Sequence, residues 1–209
     1  MDLCNCPNTG PLSEIPDNDC PFDIKQIQKI GFQKPGFVWD TAGTPATDPT
    51  LKADWDVLLA ATDDTKIVVT PFITGDPKIN RGDAITTGGG DNTTLNGIEE
   101  VEGVNPSKFE AFFKSLSPEQ EAALDKLSCN QFLVVYFINQ DGNIFCTKID
   151  ATKTKGQDVQ SLFVSDRDNQ GFGTKDTVFM SFSLPAKWSK SLIRITPSDF
   201  NALTDLTNG

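Results

Sequence analysis

Two apolar runs joined by Gln140-Asp141-Gly142 constrain this chain more than any other feature. The stretch Phe132 to Ile138 is its longest apolar run, and it has the length of a strand. Asp-Gly between apolar runs signals a hairpin, because these residues accept the positive φ that a tight turn demands. Two antiparallel strands are therefore predicted, Gln131 to Asn139 and Asn143 to Asp150. Further strands are predicted over Ser161 to Ser165, Thr177 to Leu184 and Ser191 to Ile195. In the second of these, Met180, Phe182 and Leu184 alternate with serines, the period of a strand with one buried face.

Earlier in the chain, Ile24 to Gln33 reads as a strand ending at Lys34-Pro35-Gly36, and Lys66 to Phe72 is rich in β-formers. Pro71 directs the latter towards a sheet edge, since proline cannot donate to a ladder. Three polar-proline steps predict helix starts. Asp48-Pro49 opens one running through Ala61, with Leu51, Trp55, Leu58 and Leu59 on one face. Asn105-Pro106 opens a second to Ser115, carrying Phe109, Phe112 and Phe113. Ser117-Pro118 opens a third to Ser128, where Ser117 and Gln120 make a capping-box pair. A short terminal helix follows Thr196-Pro197-Ser198. Residues 74–97, with Gly75, Pro77, Gly82 and three glycines at 88–90, read as a loop.

Four prolines within residues 1–22 exclude a regular element there, so this stretch is predicted to be an extended arm. Leu3, Leu12, Ile15 and Phe22 are spaced along it like anchors, which a merely flexible tail would not need. The fold class is α+β: a mainly antiparallel, sandwich-like sheet with an inserted helical pair and an extended N-terminal arm. In domain terms, residues 1–22 form the arm. Residues 23–209 form a single mainly-β domain with inserted helices about 106–128.

Among the 209 residues there are 29 acidic and 18 basic ones, a net charge of -11, and no histidine. Lacking histidine, the chain cannot carry a Ser-His-Asp triad, a Cys-His pair or a His-ligated metal. The acidic balance argues against nucleic acid and anionic membrane surfaces, which need clustered Lys and Arg. No apolar run approaches the roughly 18 residues of a membrane-spanning helix. The N-terminus lacks the basic and apolar regions of a secretory signal, so a product made in the cytoplasm is expected.

Of the five cysteines, Cys4, Cys6 and Cys20 crowd the N-terminus, while Cys129 and Cys146 flank the hairpin. Three nearby thiolates and a distant fourth could hold zinc, but C-x-C without a second C-x-x-C is a poor match. Free thiols are the reading. Asp166-Arg167-Asp168-Asn169-Gln170-Gly171 resembles the opening of a calcium loop, making Asp166 and Asp168 weak metal candidates. The twelfth position is Thr177 where the loop needs a bidentate Glu, so an acidic turn is the reading. Arg81-Gly82-Asp83 and the glycines at 88–90 read as loop chemistry, and the pairs Glu99/Glu100, Glu119/Glu121 and Asp63/Asp64 as solvated faces. Trp39, Trp55, Trp188 and the phenylalanines read as core and contact residues. No catalytic residue and no cofactor is expected, and the chain reads as a non-enzyme.

Two stretches carry a resemblance. Cys4-Asn5-Cys6-Pro7 through Asp19-Cys20-Pro21, Gln26 to Ile30 and Phe32-Gln33-Lys34 form the first. The second runs from Val164 to Gly171 and from Phe182 to Trp188. Both resemble virion structural proteins of the crAss-like tailed phages of Bacteroidetes. The resemblance implies an auxiliary (decoration) capsid protein of the bacteriophage virion, synthesised in the host cytoplasm. Its implied partners are other virion proteins, major capsid protein or neck and tail subunits, in an oligomeric particle, with the arm as the anchor. A neck or tail ring component is the alternative in the same class. A soluble module holding calcium or glycan through residues 74–97 and 166–171 is the alternative in another.

Overall fold

The computed structural model describes Pro11, residues 14–17 and residues 22–208. In chain order, β1 (Ile27–Gln33) and β2 (Trp39–Asp40) precede α1 (Lys52–Ala60), β3 (Ile67–Val69) and β4 (Lys78–Asn80). A hairpin follows, β5 (Ala84–Thr87) and β6 (Glu100–Val104), with a 3₁₀ turn at Leu95–Gly97. Then come β7 (Ser107–Lys114), α2 (Pro118–Ser128), β8 (Phe132–Asn139), β9 (Ile144–Lys148) and β10 (Lys153–Lys155). The chain closes with β11 (Gln157–Val164), β12 (Thr177–Leu184), β13 (Leu192–Ile195) and α3 (Ala202–Asp205). Eleven strands join one antiparallel sheet along the path β2-β10-β9-β8-β11-β12-β7-β4, with β1 and β3 branching from β8 and β13 from β9. Among the described residues, β5 and β6 pair only with each other. The architecture is thus mainly antiparallel β with few helices, the predicted class.

β8 organises the molecule. One edge pairs along its length with β1; the other is shared between β11, at Phe132 to Val135, and β9, at Phe137 and Ile138. Leu133, Val135 and Phe137 face one core, with Phe109, Phe113, Met180 and Phe182. Val134, Tyr136 and Ile138 face a second, with Trp39, Trp55, Ile67 and Cys146. Successive side chains point to opposite faces of a strand, so burial on both faces demands an unbroken apolar run. That is why β8 carries the longest such run in the chain.

The predicted helix over Pro106 to Ser115 is instead strand β7. Phe109, Ala111 and Phe113 are buried while Lys108, Phe112 and Lys114 face solvent. Phenylalanines at 109, 112 and 113 fit a helical face, yet the burial alternates with period two. The eight-position pairing with β12, from Ser107 opposite Leu184 to Lys114 opposite Thr177, overrides local propensity. The inserted helical pair is therefore one helix, α2. It begins as predicted: Ser117 Oγ accepts from Gln120 N at 3.2 Å and Gln120 Oε1 from Ser117 N at 3.0 Å.

Two further expectations need correction. The helix expected from Asp48-Pro49 starts at Lys52, and its first amide donates to Asp199 Oδ1 at 2.9 Å. Asp48 instead closes a turn onto Thr50 N at 2.8 Å. Residues 74–97 are not all loop, because they contain β4 and β5. β3 does lie at an edge: it pairs with β1, and the Asn208 side chain occupies Val69 N and O at 2.8 and 2.6 Å.

Candidate interaction surfaces

Of the predicted anchors, Leu3 and Leu12 lie outside the described residues, as do the metal candidates Cys4, Cys6 and Cys20. Ile15 lies outside any helix or strand and is 92% exposed. Phe22 is half-exposed, its ring packed edge-on to Phe145 with centroids 5.9 Å apart. Just beyond it, Lys25 pairs with Asp141 at 2.7 Å, tying the entry of the domain to the β8–β9 turn.

The turn at Asp166 to Gly171 is fastened from within. Arg167 leaves it, pairing with Glu121 at 2.8 Å and Asp176 at 3.5 Å and donating to Leu116 O at 2.7 Å. Asn169 Nδ2 donates to Asp176 Oδ1 at 2.6 Å, and Asp168 exchanges backbone hydrogen bonds with Thr177. Among the described residues, no group of three or more His, Cys, Asp or Glu is placed to hold a metal.

Asp166 and Asp168 instead border an aromatic row on the solvent face of the sheet. Phe112 of β7 stands directly opposite Phe179 of β12, ring centroids 5.1 Å apart, and Phe163 of β11 lies 6.4 Å beyond. These three rings, with Ser165, Asp166, Asp168 and Thr177, line a cleft of about 510 Å³. Phe163 is 54% exposed because the β11–β12 register shifts between Gln160 and Phe163, where Ser161 adopts φ 55°. One inserted residue moves all later side chains to the other face. Leu162 thus enters the core and Phe163 leaves it. The sequence marked the phenylalanines as core and contact residues without separating the two. The overlooked signal was Phe179, which occupies the outward phase of Ser181 and Ser183.

The β5–β6 hairpin is a second apolar surface, with Ile85, Leu95, Ile98 and Val101 all exposed. Arg81-Gly82-Asp83 forms its base. Asn105 N donates to Asp83 O at 2.9 Å, and a Cβ on Gly82 would sit 1.8 Å from Asn105 O. Glycine is required there by close approach of two backbones. Gly89 and Gly90 direct their N–H groups to Gly97 O, within the hairpin tip.

Burial pushes the Cys146 thiol up to about 12 and raises the Tyr136 phenol, so both stay protonated and inert near neutrality. Hydrogen bonds from the Thr65 side chain and backbone hold Asp63 below the usual carboxylate range, the opposite of what a general acid requires. Glu121 of the Glu119/Glu121 pair is taken up by Arg167. No protein-family model matches the chain, and no curated protein matches it.

Proposed function

We propose that this protein is a non-enzymatic structural subunit of a bacteriophage virion, acting as an auxiliary capsid protein whose residues 1–22 anchor it to neighbouring subunits. The observation that carries this reading is uncovered apolar surface: Ile15 outside any regular element, the Phe112–Phe179–Phe163 row, and the hairpin with Ile85 and Val101. Contiguous exposed apolar side chains mark association surfaces. Extended segments that add to a neighbour's surface through backbone bonds and side-chain anchors need no cofactor. The net charge of -11 would keep such a subunit soluble before assembly.

Deleting residues 1–22 tests the anchor. The truncated protein is expected to keep its folded circular dichroism spectrum and to fail to join particles assembled from candidate shell subunits. Normal incorporation would refute the reading. Native mass spectrometry of the full chain distinguishes placements, since a closed ring forming unaided would move the assignment to the neck or tail.

A further inference from the structure

A cleft of about 470 Å³ opens between β1, the Val68 to Phe72 segment, α2 and the C-terminal residues Leu206 to Asn208. That volume lies within the range of small-molecule sites. Its lining is mainly aliphatic and aromatic, including Val68, Phe72, Ala123, Leu124 and Leu127. One cation reaches it. Lys29 is 6% exposed, and a lysine so deeply buried is ordinarily paired with a carboxylate. None of the ion pairs among the described residues involves Lys29. Its ammonium donates to Leu206 O at 3.3 Å and lies 4.5 Å from the centre of the Phe72 ring.

Three other polar side chains of the lining have partners of their own, and Thr207 completes the lining. Thr70 Oγ1 accepts from Ile30 N, Gln120 closes the α2 capping box, and Asn208 holds Val69. The ammonium has three donors, of which one is spent on Leu206 O. We infer that this cleft binds a small amphipathic carboxylate, an acyl chain or similar apolar body whose carboxylate pairs with Lys29. Burial lowers the lysine's pKa, and an incoming carboxylate would favour the charged form again. A charged hydrogen bond in a desolvated site exceeds a neutral one, so the acid should bind better than an alcohol of equal length. This inference is independent of the virion reading.

Calorimetric titration of the full-length protein with decanoate and with decanol tests it. Decanoate is expected to bind about tenfold or more tightly than decanol, the yield of one charge-assisted hydrogen bond. Lys29→Met should bring the two affinities together, by weakening decanoate far more than decanol. Ala123→Trp, at an exposed position on the rim of the cleft, should abolish binding of both without touching Lys29. Equal affinities in the wild type, an acid preference surviving Lys29→Met, or no binding of either probe would each overturn the proposal.

Discussion

Trp39 Nε1 donates to Tyr136 Oη at 3.1 Å across 97 residues of sequence, and Tyr136 Oη donates onward to Gln33 Oε1 at 3.0 Å. Gln33 Nε2 then reaches Thr65 O at 2.5 Å, so four segments are tied by one buried chain of hydrogen bonds. Tyr136 stands on the second face of β8, edge-on to Trp55 with centroids 5.3 Å apart. Removing its hydroxyl strands an indole N–H and an amide oxygen, and each unsatisfied buried group costs about 1–3 kcal/mol. Tyr136→Phe should therefore destabilise despite preserving the ring. Urea denaturation measures it, and a variant as stable as wild type would show that the network adds nothing.

A second prediction concerns the start of α2. Ser117→Ala removes the acceptor for Gln120 N and leaves the Gln120 side chain alone to bridge the cap. A lost N-cap costs about 1 kcal/mol, which for a chain of this size lowers Tm by about 2–4 °C. Differential scanning calorimetry checks it. Ser117→Asp should retain most of the stability, since an aspartate oxygen can accept the same bond.

What was legible in the sequence followed how local its cause is. The β8–β9 hairpin, strand β12 and the α2 capping box each rest on residues within a few positions of one another, and each was predicted. β7 was misread because Phe109, Phe112 and Phe113 share one helical face, whereas pairing with β12 buries Phe109 and Phe113 and turns Phe112 outward. The α1 cap was misplaced because Asp199, 147 residues away, supplies it. The bulge at Ser161 has no glycine to announce it, so Phe163 could not be placed on the outer face. The two cores divided by β8, and the cleft above Lys29, depend on chain segments far apart in sequence.

A third prediction is an alkaline one. Burial raises the Cys146 thiol from 9.0 to about 12, whereas the unfolded chain titrates near the ordinary value. Between those pH values the unfolded state loses a proton that the folded state keeps. Stability is thus fully present below about pH 9 and falls as pH rises towards about 12. The slope is about 1.4 kcal/mol per pH unit for one group. Tyr136, also raised by burial, joins from about pH 10 upward. Cys146→Ala should flatten the fall in stability between about pH 9 and pH 10, below the range in which Tyr136 joins. Equal slopes for the two proteins in urea titrations would contradict the assignment.

The last prediction separates the outward phenylalanines from the inward ones. Phe109 and Phe182 stack with centroids 4.7 Å apart inside the first core, and truncating either to alanine should cost about 3–5 kcal/mol. Phe112 and Phe163 leave the opposite face of the same sheet. Replacing both with threonine keeps β-propensity and removes the apolar row, so stability should change by only about 1 kcal/mol. Association should change far more, because large aromatic side chains in exposed clusters supply most of the affinity of an interface. Sedimentation of the double variant, alone and with candidate shell subunits, gives the answer. Lost association with an intact fold identifies the row as a contact surface. A large drop in stability, or association equal to wild type, would make these rings a cover for the core beneath.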